Sequence, residues 1–467
     1  MKLELKDKRV LVLGLGETGL SALRWLAHQG AVLSVADTRD NPPGIDALKR
    51  DLPNVTVHTG AFDSAVLANA ELIVASPGVP LSTPEIQSVI ARGISIVGDV
   101  ELFAQHRSGA IKVIAITGAN GKTTVTTLVG EMCKAAGLKT IVAGNIGLPV
   151  LDIFSMDTPD VVVLELSSFQ LETTHSLVAD AAVVLNVTED HMDRYDSFAD
   201  YAAAKQQIFA HAKVKIVNRE DSYSSAMVDS MADSESSKIS FGLNAPSSKE
   251  EFGLLTQVGV TYLAQGERPL LALTEMKLSG LHNAANALAA MALCRAIDLD
   301  FAPLLNTLKT FKGLPHRVEW VASVNNIDFY DDSKGTNVGA TCAAIAGMTK
   351  NGLPQKIVLI AGGEGKGQDF LPLLSAVNAN ARAVVLIGRD AALIEQALTS
   401  SHIPRYLAAD LPEAVNIAYT IAVTGDAVLL SPACASFDMF KNYVQRAEVF
   451  VSAVQQLQAR QQLGVAV

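Results

Sequence analysis

Residues 111–137 read IKVIAITGANGKTTVTTLVGEMCKAAG. An apolar run, VIAI, ends at a glycine-rich turn that passes directly into a helical pattern. Backbone N–H groups of such a turn point at a phosphate, and the N-terminus of the following helix adds positive potential. Within the loop Thr117–Thr124, Gly118 and Gly121 let the backbone approach a ligand closely, with Asn120 between them and Thr124 behind. Lys122 is placed to pair with the β/γ-phosphates of ATP and Thr123 to put a hydroxyl on Mg²⁺. Ile116 stands where the full G-x-x-x-x-G-K-[ST] pattern has its first glycine, so the loop is a shortened variant. The competing reading is an ordinary helix-start turn.

Working outward, the same alternation recurs on both sides. RVLVLGLG, AVLSVADT, ELIVASPG and ISIVGD read as strands, with a helix from Leu20 to Gln29 between the first two. VVVLELSS and AAVVLNVT follow the phosphate loop, and QKIVLIAGG, AVVLIGRD and DAVLLSPA lie further on. Strands alternating with helices imply parallel sheets. LHNAANALAAMALCRAI is a helix, Phe440 to Gln462 an amphipathic one, and Ser222–Arg268 is polar and broken, an antiparallel edge or a surface excursion. The expected fold class is α/β in three domains. Residues 1–100 form a Rossmann-like unit, 101–312 a central P-loop-type ATPase unit, and 313–467 a second Rossmann-like unit.

The bulk numbers bound the function. The chain has 467 residues, 49% hydrophobic and 18% charged, enough for sizeable cores. A net charge of −11 argues against a general nucleic-acid or anionic-membrane surface. The four cysteines are scattered without a C-x-x-C pair, so neither a disulfide framework nor a zinc site is expected. The start, MKLELKDKRVLVLG, has no signal-peptide pattern, and no run of eighteen apolar residues occurs. A cytoplasmic, monomeric protein without a membrane span is expected.

Further motifs sit at the ends of the strands. GLGETG, with Gly14, Gly16 and Gly19, precedes Asp37 by the offset of a dinucleotide site and reads as one, with a close helix–strand packing turn as the competing reading. Thr38 and Arg39 favour an anionic ligand, whereas Glu17 opposes one. Glu165, closing VVVLE, suits a Mg²⁺ that takes few protein oxygens. His191 reads as a loop histidine, and Lys205 as a solvated lysine on a helix face. His316 and Arg317, then Asp331, Asp332, Ser333, Lys334 and Thr336, form either a polar connection or a phosphoryl-stabilising cluster. Lys366 and Ser436 follow strands of the third unit, where open α/β sheets bind ligands.

Taken together, LGLGETGLS, DTR, ASPGVP, ITGANGKTTVTTLVGEM, GNIGLP, LELSSFQLET, LNVTEDHMDRY, MKLSGLHNAANALAA, GLPHRVE, DDSKGTNVGAT, AGGEGKGQDF and LLSPACASFDMFKNYVQR closely resemble, in order and over nearly the whole chain, the Mur ligases. The resemblance is to the branch that joins D-glutamate to UDP-N-acetylmuramoyl-L-alanine through an acyl phosphate, in peptidoglycan precursor synthesis. It implies that Glu17, Thr18, Asp37, Thr38, Arg39, Ser76, Gly78 and Asn145 bind the UDP substrate. It implies that Lys122, Thr123 and Glu165 hold ATP and a first Mg²⁺, and that His191 and Lys205 hold a second, with Lys205 carbamylated. Asn283 and Asn286 would line the adenine site, and Arg317, Asp332 and Lys334 would close over the nucleotide. Thr336, Lys366, Ser436, Phe437 and Tyr443 match positions around D-glutamate. Lys122, His191, Lys205 and Arg317 are thereby the expected catalytic set. Phe437, Tyr443 and Ala447 depart from the family pattern, and Ser222–Arg268 matches it poorly. The alternatives are another amide ligase of the superfamily, such as a folylpolyglutamate synthetase-like enzyme, and a non-catalytic nucleotide-binding regulator.

Overall fold

The computed structural model describes residues 3–231, 236–278, 280–350 and 353–462. The chain packs as two compact units. One comprises Met1–Val187, Ala199–Ala272 and Asn286–Lys309, the other Thr188–Phe198, Leu273–Ala285 and Thr310–Val467.

The first unit holds two sheets. Strands β1 (Arg9–Leu13), β2 (Val32–Asp37), β3 (Thr56–Thr59), β4 (Leu72–Ala75) and β5 (Ser95–Val97) form a parallel sheet in the order β3-β2-β1-β4-β5. The sequence reading contains four of these strands. The one it lacks, β3, is an edge strand whose alternation of Thr, Val and His carries no long apolar run. The helix between the first two strands spans Glu17–His28, three residues earlier than its apolar periodicity suggests. The second sheet contains, among the described residues, β6 (Lys112–Thr117), β7 (Thr140–Gly144), β8 (Val161–Glu165), β9 (Ala181–Val184), β10 (Val214–Asn218), β11 (Ser237–Phe241), β12 (Glu251–Gln257), β13 (Val260–Gln265) and β14 (Arg268–Ala272). Their order is β14-β13-β12-β11-β10-β9-β6-β8-β7, parallel from β7 to β12 and antiparallel from β12 to β14. Ser222–Arg268 is thus a helix, Ser222–Asp229, followed by strands that extend the sheet to an antiparallel edge. The first sheet's helix meets the segment Val150–Ser155, where Trp25 stacks on Phe154 at 5.5 Å between centroids.

The second unit is built on one main sheet. Strands β15 (Glu319–Val324) and β16 (Ile327–Asp331) form an antiparallel hairpin at its edge. Strands β17 (Thr349–Lys350) and β18 (Leu353–Pro354) form a separate two-stranded antiparallel pair. Strands β19 (Ile357–Gly362), β20 (Ala381–Ile387), β21 (Arg405–Leu407) and β22 (Ala427–Leu430) complete the order β15-β16-β22-β19-β20-β21. Strands β19 and β22 are buried at every position, as central parallel strands covered on both faces must be. The last helix spans Tyr443–Gln462, starting after Phe440 because Lys441 and Asn442 lead into its first turn, and it buries Phe450, Val454 and Leu457 against the sheet.

In all three sheets the chain reverses direction of travel across the sheet at one place: between β1 and β4, at β6 between β8 and β9, and between β19 and β22. Loops leaving the carboxyl ends of strands at such points diverge and leave a crevice. GLGETG and ASPG, TGANGKTT, and AGGEGKGQDF with SPACASFD are those loops.

Candidate functional site

In the first unit the phosphate loop leaves β6 and enters the helix Lys122–Ala135. Its two glycines are required by conformation: Gly118 has φ 154° and Gly121 φ 82°, and a Cβ on Gly121 would lie 2.7 Å from the Asn286 Oδ1. The loop is pinned from below. Ala119 N–H donates to the Asn186 carbonyl at 2.9 Å, Asn120 N–H to the Asn186 Oδ1 at 2.8 Å, and the Asn186 amide returns a bond to the Asn120 carbonyl at 3.1 Å. Asn186, at the end of the run AAVVLN, is a positioning residue the sequence reading lacks. Lys122 Nζ donates to the Gly118 and Ala119 carbonyls at 2.7 and 2.9 Å, so the ammonium lies over the loop.

Two buried charged groups stand beside it. Glu165, at the end of β8, is 1% exposed. Its Oε1 accepts from the Asn145 amide at 2.8 Å, while Oε2 has no hydrogen-bond partner. Burying a carboxylate oxygen without a donor is costly, and a cation is the ordinary remedy. Lys205, on the helix Phe198–Gln206, is 2% exposed and not solvated. This corrects the reading of Lys205 as a surface lysine. The cause is packing: Tyr201, one turn earlier, is buried with it, its ring centroid 4.5 Å from Nζ, and Nζ donates to the Gly118 carbonyl at 3.1 Å.

At the first sheet's switch point Glu17 and Thr18 open the helix behind Gly16, and the Ser76 hydroxyl donates to the Gly14 carbonyl at 3.2 Å. Asp37 is buried. It accepts from Leu15 N–H at 2.7 Å and from the Arg39 guanidinium at 2.6 Å, and Arg39 holds its carboxyl down to about 2. Asp37 therefore anchors the glycine loop. Thr38 and the Arg39 side chain are exposed beside it, as is Gly78.

In the second unit, Asp332 is buried and accepts from the Ser431 hydroxyl at 2.7 Å. Burial pushes its carboxyl up to about 7, against that hydrogen bond and the nearby charge of Arg317. Asp331 accepts from the His316 imidazole at 2.7 Å and from the Ser333 hydroxyl at 2.6 Å. Lys334 Nζ lies 4.0 Å from the ring centroid of Tyr443, and that ring meets His316 edge-on at 6.1 Å. Lys366 pairs with Asp190, whose second oxygen accepts from Asn337 at 3.2 Å. His191 follows Asp190 in a left-handed conformation, φ 58°. Ser436 is buried, Thr336 half-buried, and Phe437 is 70% exposed, so the Phe437 ring forms no wall of a closed pocket in this unit. Ala447 is buried inside the last helix.

Arg446, fully buried, joins two of these loops: it donates to the Cys434 and Ala435 carbonyls and to the Ser333 carbonyl at 2.9 Å. Its guanidinium is pushed down to about 10 by burial. The sequence reading lacks Arg446 and Asp190, because each acts through a partner distant in the chain. Val318, His316, Lys366 and Ala433 all carry positive φ, strain gathered in the ligand loops. Asn283, Arg317 and Glu319, with Trp320 and Tyr330, line a cavity of about 380 Å³. Asn286 lies against Gly121 in the first unit. No helix among the described residues is long and apolar enough to cross a membrane.

A parallel α/β scaffold carrying a phosphate loop with a buried carboxylate and a buried lysine beside it defines a candidate site for nucleotide phosphates. Family models for the Mur ligase MurD-like N-terminal domain, the Mur ligase middle domain and the Mur ligase glutamate ligase domain match residues 8–98, 116–294 and 316–434. The chain belongs to the Mur ligase family. It is 60% identical over 459 residues, 98% of this chain and 99% of the relative, to the UDP-N-acetylmuramoylalanine--D-glutamate ligase of Methylobacillus flagellatus. To the protein of the same name from Thiobacillus denitrificans it is 54% identical, with 98% of each chain covered. Among solved structures, UDP-N-acetylmuramate-alanine ligase MurC from Thermotoga maritima shares the fold at a TM-score of 0.59 and 19% identity, over 96% of this chain and 99% of that one. A pseudomurein peptide ligase type C from Methanothermus fervidus does so at 0.58 and 18%, over 91% and 96%.

Proposed function

We propose that this chain joins D-glutamate to UDP-N-acetylmuramoyl-L-alanine at the expense of ATP, in the cytoplasm, in three functional domains: residues 1–100 for the UDP sugar, 101–312 for ATP and Mg²⁺, and 313–467 for the amino acid. The observation that carries the reading is near-full-length identity to ligases named for that reaction, with Lys122, Glu165 and Lys205 set around one phosphate loop.

The chemistry follows from the weakness of a carboxylate as an electrophile. The L-alanyl carboxylate attacks the γ-phosphorus of ATP, the bond to the β,γ-bridging oxygen breaks, and ADP leaves. The acyl phosphate so formed is attacked at carbon by the D-glutamate amine, which loses a proton. The tetrahedral intermediate expels inorganic phosphate and the amide remains. The protein supplies positioning and charge neutralisation. Lys122 and the loop of Gly118, Asn120, Gly121, Thr123 and Thr124 hold the phosphates, with the Asn120 N–H kept on the Asn186 Oδ1 as the bond that shapes the loop. The partnerless Glu165 Oε2 fits a Mg²⁺ ligand, with Thr123 as its companion. Mg²⁺ there supplies charge neutralisation on the phosphoryl oxygens.

A second Mg²⁺ is assigned to His191 and to Lys205 as its carbamate. Burial of Lys205 beside the loop supports that role, since an anionic carbamate oxygen, unlike an ammonium, ligates a cation. Asn283, Asn286, Arg317, Asp332 and Lys334 are assigned to the nucleotide. Glu17, Thr18, Asp37, Thr38, Arg39, Ser76, Gly78 and Asn145 are assigned to the UDP substrate. Thr336, Lys366, Ser436, Phe437 and Tyr443 are assigned to D-glutamate, where Lys366 exchanges its Asp190 partner for a substrate carboxylate.

The deciding measurement is phosphate release by the purified protein with UDP-N-acetylmuramoyl-L-alanine, ATP and a panel of amino acids. Release with D-glutamate alone is expected. Release with L-lysine or meso-diaminopimelate but not D-glutamate overturns the substrate assignment.

A further inference from the structure

The phosphate loop does not shape itself. Strand β6 runs through Thr117 and the next helix begins at Lys122, so the four residues Gly118 to Gly121 make the turn. So short a turn takes its form from the groups that satisfy its backbone. On one side that is the segment after β8, whose Leu166 carbonyl accepts from the Thr117 hydroxyl at 2.7 Å. On the other side it is the end of β9. Leu185 N–H donates to the Thr117 carbonyl at 2.9 Å, and a Cβ on Gly118 would lie 3.0 Å from that of Leu185. Asn186 then takes two of the loop's four N–H groups, those of Ala119 and Asn120, and returns its amide to the Asn120 carbonyl. Asparagine suits this place because its side chain both accepts and donates.

Asn186 can hold the loop only if the end of β9 is itself held, and the next strand supplies the hold. After β10 the chain turns at Asn218 and enters the helix Ser222–Asp229, whose N-cap is Asp221. One Asp221 oxygen accepts from Ser224 N–H at 2.7 Å, which is all that a cap requires. The other oxygen crosses to the neighbouring strand and accepts from Val187 N–H at 2.9 Å. The Asn218 amide donates to the Leu185 carbonyl at 2.8 Å, and the buried Ser224 hydroxyl to the Val184 carbonyl at 3.0 Å. Residues on both sides of Asn186 are thus tied to one turn, and Asn186 between them bonds to the loop.

We infer that Asp221 is a positioning residue for the phosphate loop and acts through Asn186. The inference rests on the proposed reading that this loop holds the phosphates of ATP. Asp221 touches no reacting atom. Its second oxygen fixes Val187, the fixed strand end aims Asn186, and Asn186 sets the turn from which the helix N-terminus meets an anion.

MgADP binding to the full-length protein, followed by titration calorimetry, tests this without turnover. Asn186→Ala is expected to weaken binding about 10-fold, the scale of one lost buried hydrogen bond. Asp221→Ala is expected to weaken it by a similar factor, and the double variant by no more than the larger single loss, because the two residues act in series. Asp221→Asn keeps one accepting oxygen. It is expected to fall between Asp221→Ala and the parent, and it carries the test if the alanine variant does not fold. Asp63 is the control: it caps the helix Ser64–Ala68 by accepting from Ala65 N–H at 2.7 Å. Asp63→Ala loses a cap of the same kind, so its melting temperature falls while its MgADP affinity stays. Parent-like affinity in the Asp221 variants, an equal loss in Asp63→Ala, or single losses that multiply in the double variant overturns the inference and leaves the ligase reading standing. A wild-type protein that does not bind MgADP overturns the nucleotide role of the loop itself.

Discussion

Glu165 gives one carboxylate oxygen to Asn145 and the other to no protein donor, at 1% exposure. A carboxylate buried this way raises the energy of the folded protein until a cation meets it. Glu165→Gln keeps the shape and removes the charge. Its melting temperature in metal-free buffer is expected to equal or exceed that of the parent, while MgATP-dependent phosphate release falls by about 100-fold or more. Unchanged turnover would falsify the metal-ligand role. Asp99 has a different use. It opens the helix Asp99–His106, where among the described residues it accepts from its own helix's first N–H groups, and burial pushes its carboxyl up to about 6 from 3.8. The folded state thus holds a proton that the unfolded chain gives up more readily. This contribution to stability is full below pH 4 and is lost as pH rises through 6. Asp332, pushed up to about 7, acts with the same sign. Asp99→Asn is therefore expected to stabilise the protein increasingly between pH 4 and pH 7, by at most about 3 kcal/mol. Melting curves of both proteins across that range measure it; a gain that is constant with pH rules the titration out.

At the scale of elements, the proposed function rests on loops at sheet switch points, and the loops are held by side chains from elsewhere in the chain. Arg446, from the last helix, satisfies carbonyls of both the DDSK loop and the SPACASFD loop. A lysine is a point charge on a single stem and cannot bridge three separated carbonyls. Arg446→Lys is expected to cost about 1–3 kcal/mol, the price of buried carbonyls left without donors, and to raise the KM for D-glutamate more than that for the UDP substrate. Equal changes in both KM values would reduce Arg446 to a general stabiliser. The same logic explains what the sequence could disclose. Strands β1, β4, β6, β8, β9, β19 and β22 are buried apolar runs and read directly. β3, β7 and β21 lie at sheet edges with few buried positions, and β12 to β14 interrupt short apolar stretches with polar residues, so they carry weaker patterns. The phosphate loop is legible because its spacing is its mechanism. Lys205 is not, because a lysine on a helix among alanines looks solvated until Tyr201 is seen buried beside it. Asn186, Asp190 and Arg446 escape for the same reason: their roles exist only once distant segments meet.

Over the whole molecule the charge is −11, yet every proposed substrate is an anion. Attraction must therefore be local. In the first unit Arg39 and Lys122 stand at different switch points, one by the glycine loop of the first sheet and one on the phosphate loop of the second. Two anionic ligands should then be held by separable contacts, and their stabilising effects should separate on mutation. A ligand that binds only the folded state at about a hundredfold excess over its Kd adds about 2.7 kcal/mol of stability. For a unit of this size that is a rise of several degrees in melting temperature, on the order of 2–4 °C for each kcal/mol. Wild-type protein is expected to show such a rise both with MgADP and with the UDP substrate. Lys122→Ala removes a cation that now bonds to the Gly118 and Ala119 carbonyls, so its own melting point falls slightly, by about 1 kcal/mol or less in stability. Its rise with MgADP is expected to shrink below half, whereas its rise with the UDP substrate stays intact. Arg39→Ala is expected to reverse the pattern, and since Arg39 holds Asp37 in its charged form it also lowers stability above pH 4. If both variants lose both responses equally, the two loops are not separate anion sites, and the division of labour between the sheets of the first unit is wrong.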